Sequence, residues 1–307
     1  LNITEKNILK TLSYFDIFRY PISKAEIMTF HASESRTASI DEALENLCKN
    51  GLVFKLDEFY TLQYDHSLLE RRRKGNSLAN EQMKTAYKAA AILARFPYVK
   101  GLAISGSLSK NFAEEKTDID FFIITAVNRL WIARTILHLF YKLNIFTGRQ
   151  RWFCLNYYVD EAAQEIVEKN IFTAIEIATL LPMQGKATLA NFMKANEWKN
   201  NYFPNCKNNT TATPIIKKGP FATLVERLCN GNVGNKLDNW LMHYTDKRWK
   251  KKVSQNRKNS KGIAIGMLVD KHYAKPNPGF FQDKIIGLYQ AKIDKLEQLQ
   301  PVLSRAN

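Results

Sequence analysis

Apolar residues recur at helical spacing early in the chain. Ile8, Leu9, Leu12 and Phe15 share one face of a helix over residues 5–14. Pro21-Ile22-Ser23 leads into a second helix from Lys24, with Ser23 as its N-cap. A third helix over 39–50 carries Ile40, Ala43, Leu44 and Leu47 on one face and stops at Gly51. Two short runs, 52–56 and 59–62, are split by Asp57-Glu58 and predict strands joined by a tight turn. The charged connector from Glu70 to Ser77 predicts the end of a linking helix, with Arg71 to Lys74 in solvent. Residues 79–96 return to helical spacing through Met83, Tyr87, Ala90, Ala91 and Ala94, and Pro97 ends that helix. Strand and helix signals then alternate: strand 99–105, helix 107–113, strand 117–125, amphipathic helix 129–143 and strand 152–159. Arg134, His138 and Lys142 recur every four residues as one polar stripe on that amphipathic helix. Beyond residue 165 the pattern reads as helical, over 167–181, 189–197, 219–252 and 280–304, with a polar loop at 205–214.

These elements predict an α/β (α+β) chain in three parts: residues 1–66, a small mixed-sheet core over 67–165, and a helical region over 166–307. Three helices followed by a hairpin predict a winged-helix-like unit, a helix-turn-helix variant whose third helix would read DNA. That helix carries Asp41, Glu42 and Glu45 against the single Lys49, a poor match for a phosphate backbone. Its charge favours a packing module over a DNA reader.

Composition adds limits. The chain has 307 residues, 45% hydrophobic and 24% charged, as ordinary globular domains do. No run approaches the roughly 20 apolar residues of a membrane span, and none reads as a signal peptide. Cys48, Cys154, Cys206 and Cys229 lie far apart and the five histidines are scattered, which argues against zinc or a disulfide framework. A cytoplasmic location, with reduced thiols and no membrane partner, is the expectation. The net charge of +16 is concentrated late, where residues 207–275 hold 15 Lys/Arg against 4 Asp/Glu. That imbalance predicts an anionic partner: nucleic acid, nucleotide or an acidic protein. Within it, residues 247–261 carry eight basic residues and no acid, and Trp249 there is able to stack on a base. A solvated helix end accounts for the same run equally well. Trp131, Trp152 and Trp240 read as packing residues.

The chemistry concentrates in Gly101 to Ile124. A buried strand leads to the Gly106-Ser107 turn, and the next strand carries Asp118 and Asp120. Aspartates at i and i+2 of a strand face the same side, so two carboxylates would lie together beside a turn whose amides open a helix. Such a site suits divalent metal and a triphosphate.

The apolar strand, Gly106-Ser107, ten intervening residues and Asp118-Ile-Asp120-Phe together resemble the signature of the DNA polymerase beta-like nucleotidyltransferase superfamily, over about 90 residues from Ala79 to Asp160. The run Phe153 to Tyr158, with Phe172-Thr-Ala174, Glu176, Pro182, Ala195-Asn196, Trp198 and Pro204-Asn205, is similar to a bacterial subfamily of uncharacterised nucleotidyltransferase-domain proteins. The resemblance implies transfer of a nucleoside monophosphate from an NTP to a hydroxyl acceptor of unidentified kind. It implies Gly106 and Ser107 at the phosphates, with Lys110 either near them or solvated on its helix. It also implies Asp118 and Asp120 on a pair of Mg²⁺ ions.

Active members of the superfamily carry a third carboxylate on the next strand. Here the middle of the polar face, read as Cys154, Asn156, Tyr158 and Asp160, is Asn156, whose amide cannot take a proton near neutral pH. Either Asp160 substitutes or the chemistry is weakened or lost. Three functions follow: a Mg²⁺-dependent nucleotidyltransferase, a catalytically degenerate module of that fold that binds nucleotide or nucleic acid in a regulatory role, or a nucleic-acid-binding regulator.

Overall fold

Two helix starts are fixed by reciprocal capping. Asn2 and Glu5 cap α1 (Ile3–Asp16), and Ser23 and Glu26 cap α2 (Lys24–Thr29) in the same way. In this computed structural model, which describes residues 1–34, 36–209, 217–258, 262–276 and 278–303, these helices open an N-terminal unit. It continues through α3 (Thr37–Lys49). A three-stranded antiparallel sheet completes it, with β3 (Phe59–Thr61) between β1 (Ile22–Ser23) and β2 (Phe54–Leu56). Ile8, Leu12, Ile27, Ile40 and Leu44 close its core.

One uninterrupted helix, α4 (His66–Leu93), replaces the expected connector and separate helix. Gly75 does not break it, because its missing side chain admits the Phe112 ring: a Cβ there would come within 2.2 Å of that ring. Nor is the basic run 71–74 wholly solvated. Arg72 is buried, pairs with Glu26 at 2.9 Å and lies 3.8 Å over the Tyr20 ring. Buried guanidinium needs such partners, and the sequence alone does not show them.

The central sheet has six strands in the order β7-β4-β5-β6-β9-β8, formed by β4 (Val99–Ile104), β5 (Asp120–Thr125), β6 (Cys154–Asp160), β7 (Leu181–Gln184), β8 (Met267–Val269) and β9 (Tyr273–Pro276). β5 and β6 are parallel, and the other pairings are antiparallel. Three of the six strands lie beyond residue 165, so that region is not wholly helical. The runs are three or four residues long, and a short apolar run cannot be told from helix by periodicity. Pro182, expected to end a helix, sits in edge strand β7, where a residue without an N–H is tolerated.

Alanines of α4 and residues Leu130, Trp131 and Leu137 of α5 (Leu130–Ile145) cover one sheet face. Ile177 of α6 (Ile171–Ala178) and Leu189, Phe192 and Met193 of α7 (Lys186–Ala195) cover the other. α8 (Pro220–Leu228) and α9 (Gly231–Ser254) pack outside α5, and α10 (Phe281–Leu303) returns to α1. Residues 210–214 of the expected polar loop and 259–261 of the basic run lie outside the described residues. Among the described residues, no helix is long and apolar enough to cross a membrane.

Candidate functional site

Strand pairing brings the two halves of the sequence signature together. Ile104 pairs antiparallel with Phe121, and the Ser105 amide donates to the Asp120 carbonyl at 2.9 Å. The chain leaving β4 therefore turns directly over the first residue of β5. Gly106 makes that turn with φ at +68°, and a Cβ there would lie 2.4 Å from Asp120 Oδ2. Both the backbone conformation and the close approach require glycine. The expected helix over 107–113 is only a single 3₁₀ turn, Leu108–Lys110. It ends at Asn111 in the left-handed region, so it adds little dipole of its own.

β5 begins at Asp120, which leaves Asp118 two residues ahead of the strand and half-buried. Asp120 lines a cavity of about 530 Å³, a size that holds small ligands. Burial raises the Asp120 pKa to about 6; neighbouring Asp118 and Glu176 push the same way, while a Cys154 hydrogen bond and Lys110 oppose them. Like carboxylates crowded in a partly dry site favour an arriving cation.

Asn156 and Tyr157 both line the cavity, although neighbours in a regular strand face opposite ways. A bulge explains it: Phe121 pairs with Leu155 and Phe122 with Tyr157, so Asn156 has no partner on β5. Past the bulge every side chain changes face. Tyr158 enters the core beneath α5, and Val159 enters the opposite one, against the regular alternation expected.

Asp160 does not substitute for a third carboxylate. It pairs with Thr125, five residues along β5 from Asp120, or about 16 Å at strand rise. It is fully buried and structural, accepting from the Asn128 and Ala162 amides at 3.0 Å and facing His272 Nδ1 at 3.0 Å.

Lys110 reaches the site but is neither free nor solvated. Its ammonium donates to the Gly106 carbonyl at 3.0 Å and to Glu176 Oε1 at 2.7 Å. Glu176 belongs to the run that carries the subfamily resemblance, but nothing in the sequence gives it a role at the site. It lines the cavity, and so does Glu114, which is tied to Arg71 at 2.7 Å. The remaining walls come from distant parts of the chain: Tyr14, Phe15 and Tyr20 from the N-terminal unit, Phe172 and Ile177 from α6, and Lys275 and Phe281 from the C-terminal region. The Tyr20 hydroxyl donates to the Lys110 carbonyl, coupling the N-terminal unit to the site's turn. Lys275 is held by Glu168 at 2.9 Å and Gln282 at 2.6 Å.

Among the described residues, no three His, Cys, Asp or Glu side chains form a cage for a metal. Mg²⁺ needs none, since it keeps several waters and is commonly held by one or two carboxylates plus substrate phosphates. Asp118, Asp120 and the Asn156 amide suit that mode and not a tight, all-protein site.

The aromatic expectations divide. Trp131 is fully buried beneath the sheet, whereas Trp152 is partly exposed and Trp240 stands 60% exposed. Trp249 is half-buried, with the Lys252 ammonium 4.7 Å from its ring. Compared with protein-family models, with curated proteins and with solved structures, the chain matches none.

Proposed function

We propose that this chain is a Mg²⁺-dependent nucleotidyltransferase, transferring a nucleoside monophosphate from an NTP to a hydroxyl acceptor. The observation that carries the proposal is the approach of the Gly106 backbone to the Asp120 carboxylate in the lining of a ligand-sized cavity. That juxtaposition puts amides able to meet phosphate beside a carboxylate able to hold its metal. Asp118 and Asp120 would hold the Mg²⁺ pair, with Asn156 as a neutral oxygen donor. When bound, the ions supply charge neutralisation at the leaving pyrophosphate and acidify the attacking hydroxyl. Gly106 and Ser107 face the phosphates, and a phosphate oxygen competes with Glu176 for Lys110. Glu176, released from Lys110, is then the nearby carboxylate able to accept the acceptor's proton, a task Asn156 cannot perform. With substrate filling the cavity, the aromatic walls would limit the access of water to the transfer.

The N-terminal unit takes the winged-helix role of packing module in this proposal, because α3 is acidic and Asp41 is bound by Lys24. One observation favours a second function. Tyr14, Phe15 and Tyr20 form cavity wall, so nucleotide bound without transfer would also report to the N-terminal unit, as a regulatory module would. Incubation with each α-labelled NTP, Mg²⁺ and a panel of hydroxyl acceptors separates the two. Transfer that releases pyrophosphate and is lost in Asp120→Ala supports the enzyme. Saturable NTP binding with no transfer across the panel supports the module.

A further inference from the structure

Four positions on α9, Trp240, Tyr244, Lys247 and Lys251, are spaced by four, three and four residues, which places them along one face of the helix. All four are exposed, although the opposite face of α9 packs on α5. Trp240 and Tyr244 form a near-parallel stack, centroids 5.7 Å apart and planes 16° apart, left 60% and 55% exposed. Exposed, mutually stacked rings gain little from their own protein, and folding alone does not require them there.

The charge beside them is one-signed. α9 holds six Lys/Arg and two Asp; Asp238 is buried against the Ile132 amide, and Asp246 is taken up by Lys250. Arg248 and Lys252 lie near the polar stripe of α5, where Arg134 and Lys142 add more positive charge. Burial and then Arg134, Lys142, Arg248 and Lys252 hold His138 down to about 4, so it stays neutral among these cations. Burial, Arg248, Arg257, Lys142 and Arg134 depress Lys252 in turn. Such a cluster is unfavourable until an anion arrives.

We propose that the exposed face of α9, with the α5–α9 basic cluster beside it, binds single-stranded nucleic acid. Trp240 and Tyr244 would stack on bases, while Lys247, Arg248 and Lys251 meet phosphates. Charge complementarity selects the partner class, and the interleaving selects within it. A lipid-facing helix separates a continuous apolar face from its cations, whereas here lysines continue the line of the rings. A protein interface depletes lysine at its centre. A duplex hides its base faces, which leaves the rings nothing to stack on.

The test is fluorescence anisotropy of a labelled 20-nucleotide oligothymidylate with the full chain, between 50 and 200 mM salt. Trp240→Ala/Tyr244→Ala is expected to weaken binding by at least about tenfold with the salt dependence kept. Trp240→Phe/Tyr244→Phe is expected to retain most of the affinity, which also controls for folding. Lys247→Gln/Arg248→Gln/Lys251→Gln is expected to flatten the log–log salt slope by about two, at roughly 0.7 per phosphate contact. Asp120→Ala is expected to bind the oligonucleotide as the parent does, so this site and the nucleotide cavity stand or fall separately. Three results overturn the proposal: no oligonucleotide binding, binding indifferent to the aromatic pair, or equal affinity for a duplex of the same length. Binding of these residues to anionic phospholipid vesicles in place of the oligonucleotide overturns it as well.

Discussion

Replacing Asp120 by asparagine should stabilise the metal-free protein. In the folded chain the Asp120 pKa rises from 3.8 to about 6, first through burial and then through Asp118 and Glu176. A shift of about two units corresponds to about 3 kcal/mol of penalty on the ionised form, an upper figure because the cavity admits water. Above pH 6 the carboxylate is ionised in both folded and unfolded chains, and the folded state carries the full penalty. As pH falls from about 6 to about 4, the folded protein takes up a proton that the unfolded chain does not, and the penalty disappears. A neutral amide at this position never carries it. Scanning calorimetry in EDTA should therefore give Asp120→Asn a Tm about 5 °C above the parent at pH 7.5, at roughly 2 °C per kcal/mol for a chain this long. The gain should vanish near pH 4. An unchanged or lower Tm at pH 7.5, or a gain that persists at pH 4, would refute the electrostatic reasoning.

Gly106→Ala should lose NTP binding by tenfold or more, because its Cβ meets Asp120 Oδ2 in a left-handed turn; stability should fall by about 1–3 kcal/mol, read by urea denaturation. Asp160→Ala should cost about 3–5 kcal/mol by leaving His272 and the Asn128 amide without their buried acceptor. NTP affinity of the Asp160→Ala fraction that remains folded should match the parent, and selective loss of binding would contradict the structural role given to Asp160. Glu176→Gln should leave NTP affinity within about threefold but cut transfer by a hundredfold or more, measured as kcat, if Glu176 accepts the proton.

The sequence carried those features that local rules govern. Ser23 announces α2 because its hydroxyl meets the Glu26 amide three residues on, a contact that the chain makes with itself. Gly106 and Asp120 were legible for a related reason: a glycine required by a turn and a carboxylate at a strand start are each specified by residue type. Features that depend on distant partners were not. The bulge at Asn156 defeats the period-two rule, and nothing within Phe153 to Asp160 announces it, since the register is set against β5. The sequence gives Glu176 no site role because its partner, Lys110, lies 66 residues away. Arg72 looked solvated for the same reason, its aromatic and acidic partners coming from the N-terminal unit. Trp240 errs in the other direction, as a large apolar residue exposed where hydrophobicity predicts burial.

The most direct test of the central claim is isothermal titration of the four NTPs into the full chain, with Mg²⁺ and with EDTA, for the parent and for Asp120→Ala. The proposed nucleotidyltransferase function predicts saturable binding of at least one NTP that requires Mg²⁺ and disappears in the variant. Binding that persists equally in EDTA and in Asp120→Ala, or no binding of any of the four, would contradict it.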